Sequence, residues 1–230
     1  MDDDGIPPWL FAVGGVLVLV VVLLVLLARR TLRRERERQQ RLAAWAQQHE
    51  WTYAQRPAGE WAWTARLPGR SRRGVSLAMS GSLEGHAVTV AEYFYRTSSS
   101  GTDASGTSSS SETTHRLAVE VVRLPRGYPP VEVAPRSAVS RLTHSLFGEG
   151  KISTGDAEFD RRFTIRSRDP VTARALVGPT LVAAHRADRV PAWSLDGEEL
   201  VTYRHGVLQG PDDVLPLVAP LVEVARLLRR

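Results

Sequence analysis

Three carboxylates, Asp156, Glu158 and Asp160, alternate just ahead of Arg161 and Arg162. In a strand that spacing puts all three on one face, where paired carboxylates do acid and base work or hold a cation. This is the candidate acidic cluster; the alternative is a solvated edge balanced by the neighbouring arginines, since no second carboxylate cluster stands in the chain to complete a site. The other reactive types are dispersed. The 6 histidines, His49, His86, His115, His144, His185 and His205, stand singly with no H-x-x-H or H-E-x-x-H spacing, so no metal ligands are assigned. Gly148-Glu-Gly150-Lys151 resembles part of a P-loop, but Ile152 stands where Ser or Thr must meet magnesium and Ser145 where the first glycine belongs. Ser80-Gly-Ser82 lacks the G-x-S-x-G frame of a hydrolase elbow. The chain has no cysteine, which removes disulfides, thiolate zinc sites and a Cys nucleophile together. No catalytic residue and no cofactor site is therefore assigned, and an enzyme is not the expected class.

What the residues do specify is a membrane surface. Trp9 to Ala28 is a stretch of about 20 residues without a charge, enough to span a bilayer core of ~30 Å as a helix. A cleaved signal peptide is the rival, but its leading region should be basic, and here Asp2, Asp3 and Asp4 stand there. Arg29, Arg30, Arg33 and Arg34, followed by Arg36 and Arg38, crowd one end of the span, whereas the other end has no basic residue. By the positive-inside rule that end stays cytoplasmic. The same arginines are the candidate membrane-surface residues, each contributing about 1 kcal/mol against an anionic inner leaflet. The net charge of +5 is carried by arginine, Lys151 being the only lysine. A nucleic-acid surface would need basic residues interleaved with aromatics inside the fold; Arg66, Arg70, Arg72 and Arg73 near Trp61 and Trp63 come nearest, and no nucleic-acid partner is expected.

The elements follow from these anchors. Arg29 to Gln48 holds no Gly or Pro, so the spanning helix continues as a stalk, with Glu37–Arg41 and Glu35–Arg38 as supporting pairs. Leu42, Trp45, Ala46 and His49 share one face, which should dock onto the domain. Trp51, Tyr53, Trp61 and Trp63 have the period-two spacing of extended segments, their rings covering a sheet or forming a ligand platform. Val75 to Met79 and His86 to Arg96 read as strands joined through Gly81 to Gly85, and Leu117, Val119 and Val121 mark another. Thr97 to Thr114, almost wholly Ser, Thr and Gly, reads as the disordered tip of a long hairpin. Val131 to Val133 is expected as an edge strand after the prolines, Ser137 to Phe147 as helical or irregular, and Asp160 to Ser167 as a strand. Asp169-Pro170 starts a helix that breaks at Gly178-Pro179 and resumes. Asp196-Gly197 predicts a tight hairpin, and Asp212 or Asp213 caps a last helix ending at Arg226, Arg229 and Arg230.

The order of elements indicates an α+β fold: one N-terminal transmembrane helix continuing into a stalk, then an antiparallel sheet packed by helices. The expected divisions are a tail over 1–8, the span over 9–28, an Arg-rich stalk over 29–41 and a domain over 42–230. Gly155-Asp-Ala-Glu-Phe-Asp-Arg-Arg-Phe-Thr-Ile165, the following Asp169-Pro170 helix, the Trp51-Tyr53 start and Gly85-His-Ala-Val88 resemble actinobacterial single-pass membrane proteins of unassigned function. That resemblance implies the architecture and no activity. The function expected is a non-enzymatic scaffold at the cytoplasmic face of the cell membrane, holding a protein partner near the inner leaflet. The alternatives are an enzyme with a dispersed acidic site and an anionic-lipid-binding module.

Overall fold

The structure, a computed structural model, describes residues 8–69, 72–102, 108–136, 147 and 151–228; the side chains of 8–18, 100–102, 108 and 109 lie outside that description. Contacts divide the chain into two compact units, Met1–Ala44 and Trp45–Arg230. Most of the first unit is α1 (Pro8–Gln48), an unbroken helix of 41 residues and so about 60 Å long. Leu19 to Leu27 are all solvent-exposed along it. Among the described residues no helix is long and apolar enough to cross a membrane. Of the expected span, the side chains of 9–18 fall outside the description, as does the tail over residues 1–7. Glu35 pairs with Arg38 at 2.6 Å as expected, whereas Glu37 pairs backwards with Arg33 at 2.9 Å and not with Arg41.

The second unit begins with the last turn of α1. Glu50 takes a left-handed φ of 59°, and the Trp51 N–H closes the turn on the Ala46 carbonyl at 2.8 Å. Of the face expected to dock, Ala46 is buried, and Trp45 stacks on His49 and meets Trp51 edge-on. The strands are β1 (Thr52–Gln55), β2 (Arg73–Leu83), β3 (His86–Thr102), β4 (Ser108–Pro135), β5 (Lys151–Ile152), β6 (Phe163–Ser167) and β7 (Trp193–His205). They form one antiparallel sheet in the order β1-β2-β3-β4-β6-β5, with β7 on the other side of β4. The helices after α1 are α2 (Ala157–Arg162), α3 (Pro170–Leu176), α4 (Pro179–Arg186) and α5 (Val214–Leu228). The Asp169 cap is as expected, its carboxylate accepting the Val171 and Thr172 N–H groups. So is the break at Gly178-Pro179. Val218, Leu221, Val222, Ala225 and Leu228 are buried on α5, while Arg229 and Arg230 lie outside the described residues.

Both faces of the sheet are covered. The register sets Ala78, Ala91, Tyr93, Leu117, Val119 and Val201 on one face, under Trp63 and Leu67. The other face carries Met79, Val90, Glu92, Glu120, Thr202 and Arg204, and here Arg204 reaches the α5 carbonyl of Leu217. A Cβ on Gly81 would lie 2.4 Å from the Trp51 indole, so the ring is seated where only glycine leaves room. Gly81→Ala is expected to lower the unfolding free energy by about 1–3 kcal/mol through overpacking, read from the denaturant midpoint. An unchanged midpoint would show that Trp51 is not held there.

The structure corrects five further expectations. Trp61 and Trp63 are not on a strand: Trp61 precedes a 3-10 turn over Ala62–Arg66. The hairpin of β3 and β4 stays paired to Thr102 opposite Ser108, well inside the segment Thr97 to Thr114 expected to be disordered. Cross-strand hydroxyl contacts, Thr97 to His115 at 3.0 Å and Ser99 to Ser111 at 2.7 Å, suit the extended backbone; residues 103–107 lie outside the description. Val131 to Val133 is no edge, since β6 pairs it on one side and β7 on the other. Asp196-Gly197 makes no hairpin, because both flanks pair with the same strand: Leu195 with Val131 and Glu199 with Arg123. Between them both strands are irregular, where Pro129 and Pro130 cannot donate ladder bonds and Gly197 takes φ 57°. The fifth correction is the acidic segment itself, where the expected strand begins as helix α2.

Candidate functional site

Asp156, Glu158 and Asp160 sit at the corner where β5 leads into α2. Helical geometry separates what an extended chain would have aligned. Asp156 is the N-cap of α2, its carboxylate accepting the Phe159 N–H at 2.9 Å. That bond first, and the Arg186 guanidinium after it, hold its pKa below the ordinary aspartate value. Arg186, on α4, bridges the corner: its NH1 donates to Asp156 at 3.1 Å and its Nε to Glu158 at 2.7 Å. Asp160 points the other way. It accepts the Thr154 N–H at 3.1 Å, the Thr154 hydroxyl at 3.0 Å, the Gly155 N–H at 3.3 Å and the Ser153 hydroxyl. Partial burial raises its pKa, but these bonds together outweigh burial and leave it lowered.

Each carboxylate thus has its acceptor capacity taken up by a cap, an ion pair or a loop. Asp156 and Asp160, kept ionised by such partners, are poor proton donors near neutrality. No group of three or more His, Cys, Asp or Glu among the described residues could hold a metal ion. The chemistry available here is positional: the corner fixes the 153–156 loop onto α2 and α2 onto α4. Asp160→Ala leaves the Thr154 and Gly155 N–H groups without their acceptor and is expected to cost about 1–3 kcal/mol of stability. The check is the thermal midpoint; a midpoint equal to wild type would free Asp160 for another role.

The four membrane-surface candidates lie on α1 immediately after its exposed Leu and Val side chains. Arg29, Arg30, Arg33 and Arg34 are exposed, and Arg33 is engaged by Glu37. Arg29, Arg30 and Arg34 have no ion-pair partner among the described residues. The loose basic patch dissolves: Arg66 is buried, donating to the Glu199 carbonyl at 2.8 Å and its carboxylate at 2.9 Å. Arg72 pairs with Glu112, and Arg73 closes its own loop on the Thr64 and Gly69 carbonyls. Arg70 and the Gly148 to Gly150 part of the P-loop-like run lie outside the described residues.

Sequence reasoning passed over the buried polar groups of the sheet. Glu120 is fully buried, bonded at 3.1 Å by Arg204 Nε, with its other oxygen unpartnered. Burial pushes its pKa up to about 7, against the opposing pull of Arg204. Glu92, on the same face, accepts the Leu208 N–H at 3.2 Å. His185 on α4 is buried between Phe159 and Phe163, its Nε2 accepting from Trp193 Nε1 at 3.1 Å. Burial first, then the nearby Arg162 charge, lowers its pKa to about 4, so the imidazole stays neutral. The available signal was an acid inside an apolar run, as in Leu117-Ala-Val-Glu-Val-Val122.

No family model and no curated protein sequence matches the chain. In three dimensions it is similar to the crystal structure of the mycobacterial trehalose monomycolate transport factor A, TtfA, with a TM-score of 0.55 and 12% identity over 83% of this chain and 94% of that one. At that identity the likeness shows a shared fold.

Proposed function

We propose that the chain is a membrane-anchored, non-enzymatic adaptor that holds a protein partner at the cytoplasmic face of the cell membrane. The observation that carries this reading is a single helix on which an exposed apolar run, Leu19 to Leu27, passes directly into exposed arginines. Nine consecutive apolar side chains in water are unfavourable, and a bilayer removes them. Arg29, Arg30 and Arg34, which pair with no carboxylate among the described residues, then stand at headgroup level, suited to anionic lipid phosphates. The acidic corner supports a non-enzymatic role, because its carboxylates are engaged in holding α2 and α4. The neighbour of like fold is described as a transport factor, which accords with a domain acting through a partner.

Because the chain lacks cysteine, one introduced thiol reports the side of the membrane. Ser110 is exposed on the β3–β4 hairpin, so Ser110→Cys is labelled in intact and in lysed cells with a membrane-impermeant maleimide. Labelling only after lysis, on protein that remains in the membrane pellet after alkaline carbonate, is the expected result. Labelling of intact cells would overturn the orientation, and extraction by carbonate would overturn the anchor.

A further inference from the structure

The buried face between the sheet and α5 holds an acid that neither the anchor nor the acidic corner uses. Glu120 lies at the middle of β4, opposite Val90 of β3 and Thr202 of β7. It is fully buried, and one of its two oxygens meets no donor. Its bonded partner is Arg204, whose side chain is about half exposed and whose NH2 also reaches the Leu217 carbonyl of α5 at 3.4 Å. Arg204 therefore ties the buried carboxyl to the helix covering it. The charged and titratable groups around Glu120 are few. β3 contributes Glu92, which carries the Leu208 N–H of the strap leading to α5, and β7 contributes Arg204. The buried side chains of α5 are apolar, its Glu223 being paired with Arg189 and Arg226. In the strap, Asp213 accepts the Gln209 N–H at 2.6 Å and the Gly210 N–H at 3.4 Å.

From this geometry we propose that Glu120 is a proton-binding site that latches α5: with the proton the helix lies closed on the sheet, and without it α5 and the 206–213 strap open. The physical ground is the unpartnered oxygen. An uncharged carboxyl is taken out of water at far lower cost than a carboxylate and is tolerated under an apolar helix, whereas the ionised form calls for a donor at the oxygen that has none. Of the sheet neighbours, Val90 and Val122 have nothing to donate and the Thr202 hydroxyl makes no bond to this oxygen, so water is the donor left, and water enters only if α5 lifts. Arg204, half in solvent, can follow the carboxylate outward and give up the Leu217 carbonyl. The upward shift of Glu120 to about 7 agrees with this cost and puts the transition near neutrality. Opening would expose the apolar side chains of α5 together with Val88, Val90 and Val122, a surface hidden in the closed form.

The test is hydrogen exchange on the full chain in detergent micelles between pH 5 and pH 8, corrected for intrinsic exchange, on wild type and Glu120→Gln. The latch predicts that α5 amides exchange more readily by roughly tenfold or more across this range in wild type, while Val119 to Val122 amides stay protected. Glu120→Gln, which keeps the shape, stays uncharged and retains an oxygen to accept from Arg204, should hold α5 closed throughout. Equal pH dependence in the two proteins would overturn the proposal. So would loss of protection in α5 and the centre of β4 together, because that is global unfolding. Arg204→Met, removing the bonded cation, should move the Glu120 carboxyl titration followed by NMR to higher pH; an unmoved midpoint also overturns the latch. None of these readouts depends on the anchor or its orientation.

Discussion

The full chain in micelles is expected to be most stable on a plateau between about pH 4.5 and 6.5, to lose stability on both sides, and to lose a different side in each of two variants. His185 is neutral in the fold with its pKa lowered to about 4 from 6.5, so between those values the unfolded chain binds the proton and the folded chain does not. Its contribution is present above 6.5 and is lost as pH falls toward 4. Glu120 works in the opposite direction. Its folded pKa of about 7 lies above 4.5, so its contribution is full below 4.5 and is lost as pH rises through 7. Both groups are buried, and each shift is on the order of 3 kcal/mol across its window. Between 4.5 and 6.5 the two slopes cancel.

Removing one group uncovers the other. His185→Gln keeps an acceptor for the Trp193 N–H and should leave a stability that declines steadily from pH 4.5 to 7. Glu120→Gln should leave one that rises from 4 to 6.5 and then holds. The measurement is the denaturation free energy at half-unit steps of pH. A wild-type profile with a steep slope inside the plateau, or variants that keep the wild-type shape, would sink the assignment. Below pH 4 the lowered carboxylates Asp156, Asp160 and Asp169 add a further loss in all three proteins, since their folded forms resist the proton that the unfolded chain takes up.

The second large effect concerns the helix. Two arginines near the middle of the apolar run, Val22→Arg with Leu24→Arg, add about 2.5–3.5 kcal/mol each to insertion, replacing side chains that each favour it by ~0.3–0.6 kcal/mol. The doubly substituted chain is expected in the alkaline carbonate supernatant, with the wild type in the pellet. The sheet domain should be unaffected, so a folded circular-dichroism signature for both proteins is the control. If the variant stays in the pellet, the run is not what retains the protein. Arg29→Gln with Arg30→Gln is milder: it should leave the chain anchored and weaken its preference for anionic over neutral lipid.

Much of the domain was legible because local chemistry decides it. Asp169-Pro170 specifies a helix start whatever lies around it, since the carboxylate and the fixed proline φ act within one turn. The apolar period of α5 survives for the same reason. What failed did so where a partner strand or a neighbouring helix chooses between two locally acceptable states. Asp156 to Asp160 alternates well enough for a strand, but Asp156 can cap Phe159 and Arg186 can reach from α4, and those bonds select a helix. Val131 to Val133 follows prolines that suggest an edge, yet β6 and β7 arrive from opposite sides, more than thirty and sixty residues on.

By itself the sequence determined that the chain is an α+β domain behind a long apolar-to-basic helix, that cysteine chemistry is absent, and that a helix starts at Asp169-Pro170 and breaks at Gly178-Pro179. Each of these depends on side chains within a turn or two of one another. Only the tertiary structure decided which charged groups are buried and what they meet. Glu120 looks like any exposed strand glutamate until β3, β7 and α5 close over it, and His185 like any helix histidine until Phe159, Phe163 and Trp193 surround it. Burial is a property of the assembled layers, and with it go the desolvation that moves a pKa and the long-range pairing that turns an acidic cluster into a structural corner.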